Sequence, residues 1–165
     1  MRVLNGGLAA WRAAGMTTES GPSPATAPGN FVARPGQRAQ LTAEEIAADL
    51  AGRRRLRLVD VRAPERFSGE VEHIDPVAGH IPGAVNLPSV ANLAAEGRLL
   101  DGSAIARRFT DAGVGTGAVL YCGSGITATQ SLLALESAGL AGAIYPGSWS
   151  EWITDPSRPV GTGSA

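Results

Sequence analysis

Cysteine, aromatic residues, long apolar runs and an excess of either charge are all scarce in this sequence. The 165 residues include a single cysteine, Cys122, so no internal disulfide can form, and the thiol is either buried packing or a reactive group. No stretch approaches the roughly 20 apolar residues of a membrane helix, and the N-terminus lacks the basic-then-apolar order of a signal peptide. A cytoplasmic protein with no membrane partner is therefore expected. Fourteen basic and 15 acidic residues leave a net charge of −1, too little for a global field that would gather nucleic acid. The triplet Arg53-Arg54-Arg55 has no interleaved aromatics and reads as a solvated connection. What is present is 44% hydrophobic content in a length that buries one good core, which predicts one globular domain plus extensions.

From Gly21 to Gly36 the chain is rich in Pro and Gly without periodicity and reads as a linker. Thr42-Ala-Glu-Glu45 has the form of a capping box and predicts a helix to about Leu50. Arg55 to Val61 alternates into an apolar run suited to a strand, which Pro64 ends. A polar excursion then leads to a turn at Gly79-His-Ile-Pro-Gly and a short strand near Asn86. Asp101 can cap a helix through Ala112, Gly117 to Tyr121 reads as a strand, and Ala128 to Ala138 as a helix ending before Gly139. Ala143 to Tyr145 makes one more strand, with Trp149 and Trp152 in a last helical turn. Strands alternating with helices predict an α/β fold on a largely parallel sheet. The order of residues in Val3 to Trp11 matches that in Ile144 to Trp152. Residues 1 to about 16 are then either the C-terminal remnant of a preceding domain or an ordinary extension that packs Trp11 on the core.

Cys122 sits between a strand and a helix, where open α/β sheets place ligands. Gly123 and Gly125 permit left-handed turns, so successive amides can form an anion-binding nest, and Ser124 and Thr127 add hydroxyl donors. Such amides and the helix dipole contribute roughly 0.3 to 2 kcal/mol toward a thiolate. The bland alternative is an inert cysteine at the end of a buried strand. His73 and His80 raise a Cys-His hydrolase or a metal site, but no cluster of Cys, His and acidic residues has ligand spacing. His80, before a Pro-Gly turn, suits a hydrogen-bonded structural role, and no cofactor or metal is implied.

The run Cys122-Gly-Ser-Gly-Ile-Thr-Ala128 closely resembles the active loop of 3-mercaptopyruvate sulfurtransferases. Asp60-Val-Arg-Ala-Pro-Glu-Arg-Phe67 and Gly79-His-Ile-Pro-Gly-Ala-Val-Asn86 resemble their upstream motifs, and the likeness spans about Leu41 to Pro159. It implies a rhodanese-like three-layer fold with a largely parallel central sheet flanked by helices. Because the family is typically a tandem of two such domains, it also favours reading residues 1–20 as the remnant of a missing first domain. Residues 21–38 are then a linker, 39–160 the catalytic domain and 161–165 a tail.

The resemblance implies covalent catalysis in which Cys122 becomes a persulfide and passes sulfur to a thiol acceptor, such as thioredoxin or a low-molecular-weight thiol, or to cyanide. Arg66 matches the family's donor-anion ligand, with Gly123, Gly125, Ile126 and Thr127 binding through the loop. Ser124 matches a proton-relay serine, whose partner in the family is an Asp of the first domain. Asp60 has a supporting role, bonding loop amides or holding an Arg. A further basic residue that some relatives carry before the Gly-His-Ile turn is replaced near Val77. Related phosphatases need an Arg where Ala128 stands, which disfavours phosphate chemistry. The loop has no cation, and losing a charged hydrogen bond costs about 1.5 to 3 kcal/mol. The expected donor order is therefore 3-mercaptopyruvate before dianionic thiosulfate. A non-catalytic anion-binding or regulatory module is the competing reading.

Overall fold

The computed structural model describes residues 3–22, 27–34, 36, 38–52 and 55–164. Its centre is a five-stranded sheet of β1 (Ala39–Gln40), β2 (Arg57–Asp60), β3 (Val85–Asn86), β4 (Ala118–Tyr121) and β5 (Gly142–Ile144), in the order β1-β5-β4-β2-β3. Every pairing is parallel. Alternation along the strands sends side chains to two cores. Leu58, Val119, Tyr121, Ala143 and Tyr145 pack on one face with Ile46, Phe67, Trp149 and Trp152. Val59, Val61, Ala118, Leu120, Cys122 and Ile144 pack on the other with Ile105, Phe109, Leu132 and Leu135. The first face is covered by α2 (Ala43–Ala51), α3 (Pro64–Ser68) and α6 (Ser148–Trp152), the second by α4 (Gly102–Asp111) and α5 (Ile126–Ser137). This is the three-layer α/β arrangement expected, and burial on both faces explains why the central strands are almost wholly apolar.

Local chemistry accounts for the ends of these elements. The capping box at Thr42 is formed, with the Glu45 amide donating to Thr42 Oγ1 at 3.3 Å and the Thr42 amide to Glu45 Oε2 at 2.8 Å. Asp101 caps α4 by accepting from the Ala104 amide at 2.8 Å. Helix α5 begins at Ile126, two residues before the Ala- and Leu-rich run, because Gly125 enters at φ 82° and turns the chain sharply off β4. Three elements have no counterpart in the sequence pattern: β1, α3 and a 3-10 turn at Ser89–Asn92. Arg53 and Arg54 lie outside the described residues, whereas Arg55 is exposed and its amide donates to Asp49.

Two packing details bear on the chain ends. Residues Gly7–Ala13 form α1, and Gly7 (φ 56°) and Ser148 (φ 55°) occupy corresponding positions in the internal similarity. The preceding pair differs, with Gly6 at φ 88° and Gly147 at φ −64°, so the backbone match is confined to that one position. Trp11 is 40% exposed and donates to the Thr17 carbonyl, while Trp152 is fully buried. Beyond Pro159 the chain returns to the domain, where His80 and Gly161 exchange both backbone hydrogen bonds at 2.8 Å. No helix among the described residues is long and apolar enough to cross a membrane.

Candidate active site

At their carboxyl ends β2 and β4 are neighbours, joined through the Val61 amide and the Tyr121 carbonyl at 3.0 Å. The chain then leaves β2 toward α3 on one face and β4 toward α5 on the other, so a crevice opens where the two diverge. A cleft of about 550 Å³ fills it, and Cys122, Gly123, Ser124, Thr127, Arg62, Arg66 and Ser150 are among its lining residues. Ile74, Pro88 and Val90 supply apolar wall.

The loop is held from behind. The carbonyls of Cys122 and Gly123 accept from the amides of Trp149 and Ser150 at 3.0 and 2.9 Å. The Cys122 amide donates to Ser148 Oγ at 3.1 Å, and that hydroxyl donates to the Tyr145 carbonyl at 2.9 Å. A side chain on Gly125 would collide with the Pro146 carbonyl oxygen, which packs the loop hard against the turn before α6. With the carbonyls engaged, the backbone N–H groups of Gly123, Ser124, Gly125, Ile126 and Thr127 meet no acceptor among the described residues. Five consecutive free amides thus follow Cys122 in the chain and lead into a 12-residue helix. Cys122 itself is 3% exposed. Ser124 and Thr127 line the cleft, whereas Gly125 is buried against Pro146 and Ile126 is 75% exposed, outside the lining.

One side of the cleft is a ladder of paired charges. Asp60, fully buried at the end of β2, holds Arg62 through Nε at 3.0 and 3.1 Å and Nη2 at 2.6 Å, and accepts from the Arg62 amide at 2.9 Å. Asp60 thus both holds an Arg and bonds an amide of the loop after β2. Burial pulls the Arg62 guanidinium down, but the Asp60 carboxylate more than offsets this and its pKa is raised. Arg62 also lies 4.9 Å over the Trp149 ring. Arg66 donates from Nε and Nη2 to both oxygens of Glu72 at 2.8 to 3.1 Å, and from Nη2 to Asp75 Oδ2 at 2.9 Å. Burial pushes the Glu72 carboxyl up, yet the hydrogen bonds from Arg66 and from the Ile74 and Asp75 amides bring it below the ordinary carboxylate value.

Sequence reasoning reached Cys122, Arg66 and Asp60 but not Glu72, Asp75, Ser148 or Ser150. No spacing rule links Ser150 to Asp75, 75 positions away, although their side chains meet at 2.7 Å. In the segment where some relatives are expected to carry a further cation and this chain has Val77, the Val77 carbonyl accepts from the Trp149 indole at 2.9 Å, and Ile74 lines the cleft. His80 stacks on Phe67 at 3.8 Å with Nδ1 against the Phe67 carbonyl at 2.8 Å, and His73 is exposed.

Comparison with known proteins bears on this geometry. Residues 42–155 match the family model described as a rhodanese-like domain. The whole chain is 45% identical to SseB of Mycobacterium tuberculosis, named for thiosulfate sulfurtransferase activity, and covers 58% of it. Ninety-eight per cent of the chain is 48% identical to a Pseudomonas aeruginosa protein named for 3-mercaptopyruvate sulfurtransferase activity, covering 57% of that protein. The chain thus spans a little over half the length of these relatives. Among solved structures, EanB carrying a cysteine persulfide, in a tetrahedral intermediate state with ergothioneine, superposes with a TM-score of 0.84 at 26% identity. That match covers 99% of this chain and 42% of EanB.

Proposed function

Since the chain belongs to the rhodanese-like domain family, we propose that it is a sulfurtransferase in which Cys122 takes sulfur from a small anionic donor and passes it on. The observation that carries this reading is a lone cysteine in the cleft lining followed by five consecutive amides without acceptors among the described residues. That setting suits a bound anion, and a thiolate and a persulfide are both anions. The names of the two bacterial relatives and the cysteine persulfide of EanB support the same chemistry.

With 3-mercaptopyruvate, the Cys122 thiolate attacks the donor sulfur and the carbon–sulfur bond breaks toward carbon. The enolate of pyruvate that leaves takes up the proton of the donor thiol, and the Cys122 persulfide anion remains. Ser124, in the cleft wall next to Cys122, carries that proton. Arg66 Nη1, the guanidinium nitrogen not engaged by Glu72 or Asp75, receives the donor carboxylate. A thiol or cyanide then attacks the outer sulfur and Cys122 returns as thiolate. Both arginines lining the cleft are already paired with carboxylates, which favours singly charged 3-mercaptopyruvate over thiosulfate.

Intact mass after incubation with 3-mercaptopyruvate and no acceptor is expected to rise by one sulfur atom on the wild type and to stay unchanged on Cys122→Ser. An unmodified wild type after either donor would leave an anion-binding module in place of an enzyme. Steady-state turnover with cyanide ranks the donors, and a higher kcat/KM for thiosulfate than for 3-mercaptopyruvate overturns the preference.

A further inference from the structure

Glu72 and Asp75 both pair with Arg66, but they are held differently. Glu72 is fixed on every side: it accepts from Arg66, from the Ile74 and Asp75 amides at 3.0 and 3.2 Å, and from Arg62 Nη1 at 3.4 Å. It is the anchor that keeps Arg66 in position. Among the described residues the Asp75 carboxylate has two side-chain partners. Its Oδ2 takes Arg66 Nη2 at 2.9 Å and its Oδ1 takes the Ser150 hydroxyl at 2.7 Å. Ser150 in turn donates its amide to the Gly123 carbonyl. Asp75 is thus tethered to the loop that carries the sulfur. A Cβ built on Gly123 would stand 3.6 Å from Arg66 Nη1 and 4.0 Å from Asp75 Oδ2, so the carboxylate and the free nitrogen face the same patch of loop.

From this arrangement we infer that Asp75 is a specificity-determining residue that restricts the cleft to donors bearing one negative charge. The inference rests on the sulfurtransferase reading and deepens it. A planar guanidinium can offer two parallel N–H groups to an incoming anion. Here Asp75 takes the N–H of Nη2 that Glu72 leaves, and Nη1 alone is open to the donor. Its charge acts in the same direction. Within the paired ladder two guanidinium groups stand against the three carboxylates of Asp60, Glu72 and Asp75, a net of one negative charge, and Glu65 also lines the cleft. A dianion meets that charge with twice the repulsion of a monoanion, at low local dielectric. The carboxylate of a 2-oxo acid thiol needs one donor and carries one charge, so it suits what Asp75 leaves open.

The test is the isosteric substitution Asp75→Asn, which keeps an oxygen for the Ser150 hydroxyl and removes the charge. The ratio of kcat/KM for thiosulfate to that for 3-mercaptopyruvate is expected to rise about tenfold, the size of one charged hydrogen bond. Asp75→Glu, which retains the charge, is expected to hold the ratio within about twofold of wild type. Should Asp75→Asn fail to fold, Ser150→Ala, which frees Asp75 from its tether, is expected to move the ratio the same way by about threefold. A binding readout separates this inference from the reading beneath it: protection of Cys122 against iodoacetamide by sulfate and by pyruvate. Stronger protection by sulfate in Asp75→Asn, relative to pyruvate, supports the role of Asp75 even where no donor is turned over. Equal changes for both anions, or none, overturn it while leaving sulfur transfer standing.

Discussion

Gly125 carries the tightest steric condition around the sulfur, since its φ of 82° and its approach to the Pro146 carbonyl both exclude a side chain. Gly125→Ala is expected to cost about 1 to 3 kcal/mol of stability by urea denaturation, and to abolish the sulfur adduct because relieving the collision must move the loop amides. An adduct of wild-type size on a destabilised variant would show that the amide arrangement is not needed. Ser148 is the complementary case, the one non-glycine residue at positive φ among those described. Its hydroxyl spans Cys122 and Tyr145, and that double bridge holds it there. At this scale the sequence disclosed residues whose type declares a role, namely the lone thiol and the glycines after it. Glu72, Asp75 and Ser150 are ordinary surface types in a polar stretch and a short helix, and their role exists only once β2, β4 and α6 bring them together.

Among the elements, those with a chemical start signal were legible. The Thr42 capping box and the Asp101 cap lie where their patterns put them, and Thr42→Ala is expected to lower stability by about 1 kcal/mol, measured by urea denaturation. A change near zero would mean that Leu41 and Ile46 packing alone fixes the start of α2. Elements defined by partners were not legible. The two residues of β1 have no period of their own and are a strand only because Ala39 and Gln40 pair with Ala143 and Ile144. Pro64 marks the end of a strand in the sequence pattern, yet the same ring at the first position of α3 favours a helix. The start of α5 is hidden for a related reason, since Ile126 and Thr127 are exposed and add nothing to an apolar pattern.

For the whole molecule, the charge ladder beside the cleft makes stability depend on acid. Glu72 titrates in the folded state below its unfolded value near 4.5. Its contribution is therefore complete above that value and is lost as pH falls through the lower folded one. The urea midpoint is expected to decline on acidification below about pH 4.5, and Glu72→Gln, though less stable at neutrality, is expected to decline less over the same range. Parallel declines would assign the acid sensitivity to other carboxylates. The parallel sheet and its two apolar faces were visible in the alternation of strand and helix patterns, but the return of Gly161 to His80 was not, because nothing in a Gly-Thr-Gly-Ser end marks it as docked.

The tying of the Cys122 and Gly123 carbonyls to α6 has one more consequence. It points the negative ends of those peptide dipoles toward α6 and leaves their Gly123 and Ser124 N–H ends without acceptors among the described residues. A resting thiolate and a loaded persulfide carry the same single charge, so in the proposed cycle the loop holds an identical electrostatic load before and after each transfer. No dipole has to rotate between the two half-reactions, and a rigid loop, rather than an adaptable one, is what such a cycle asks for.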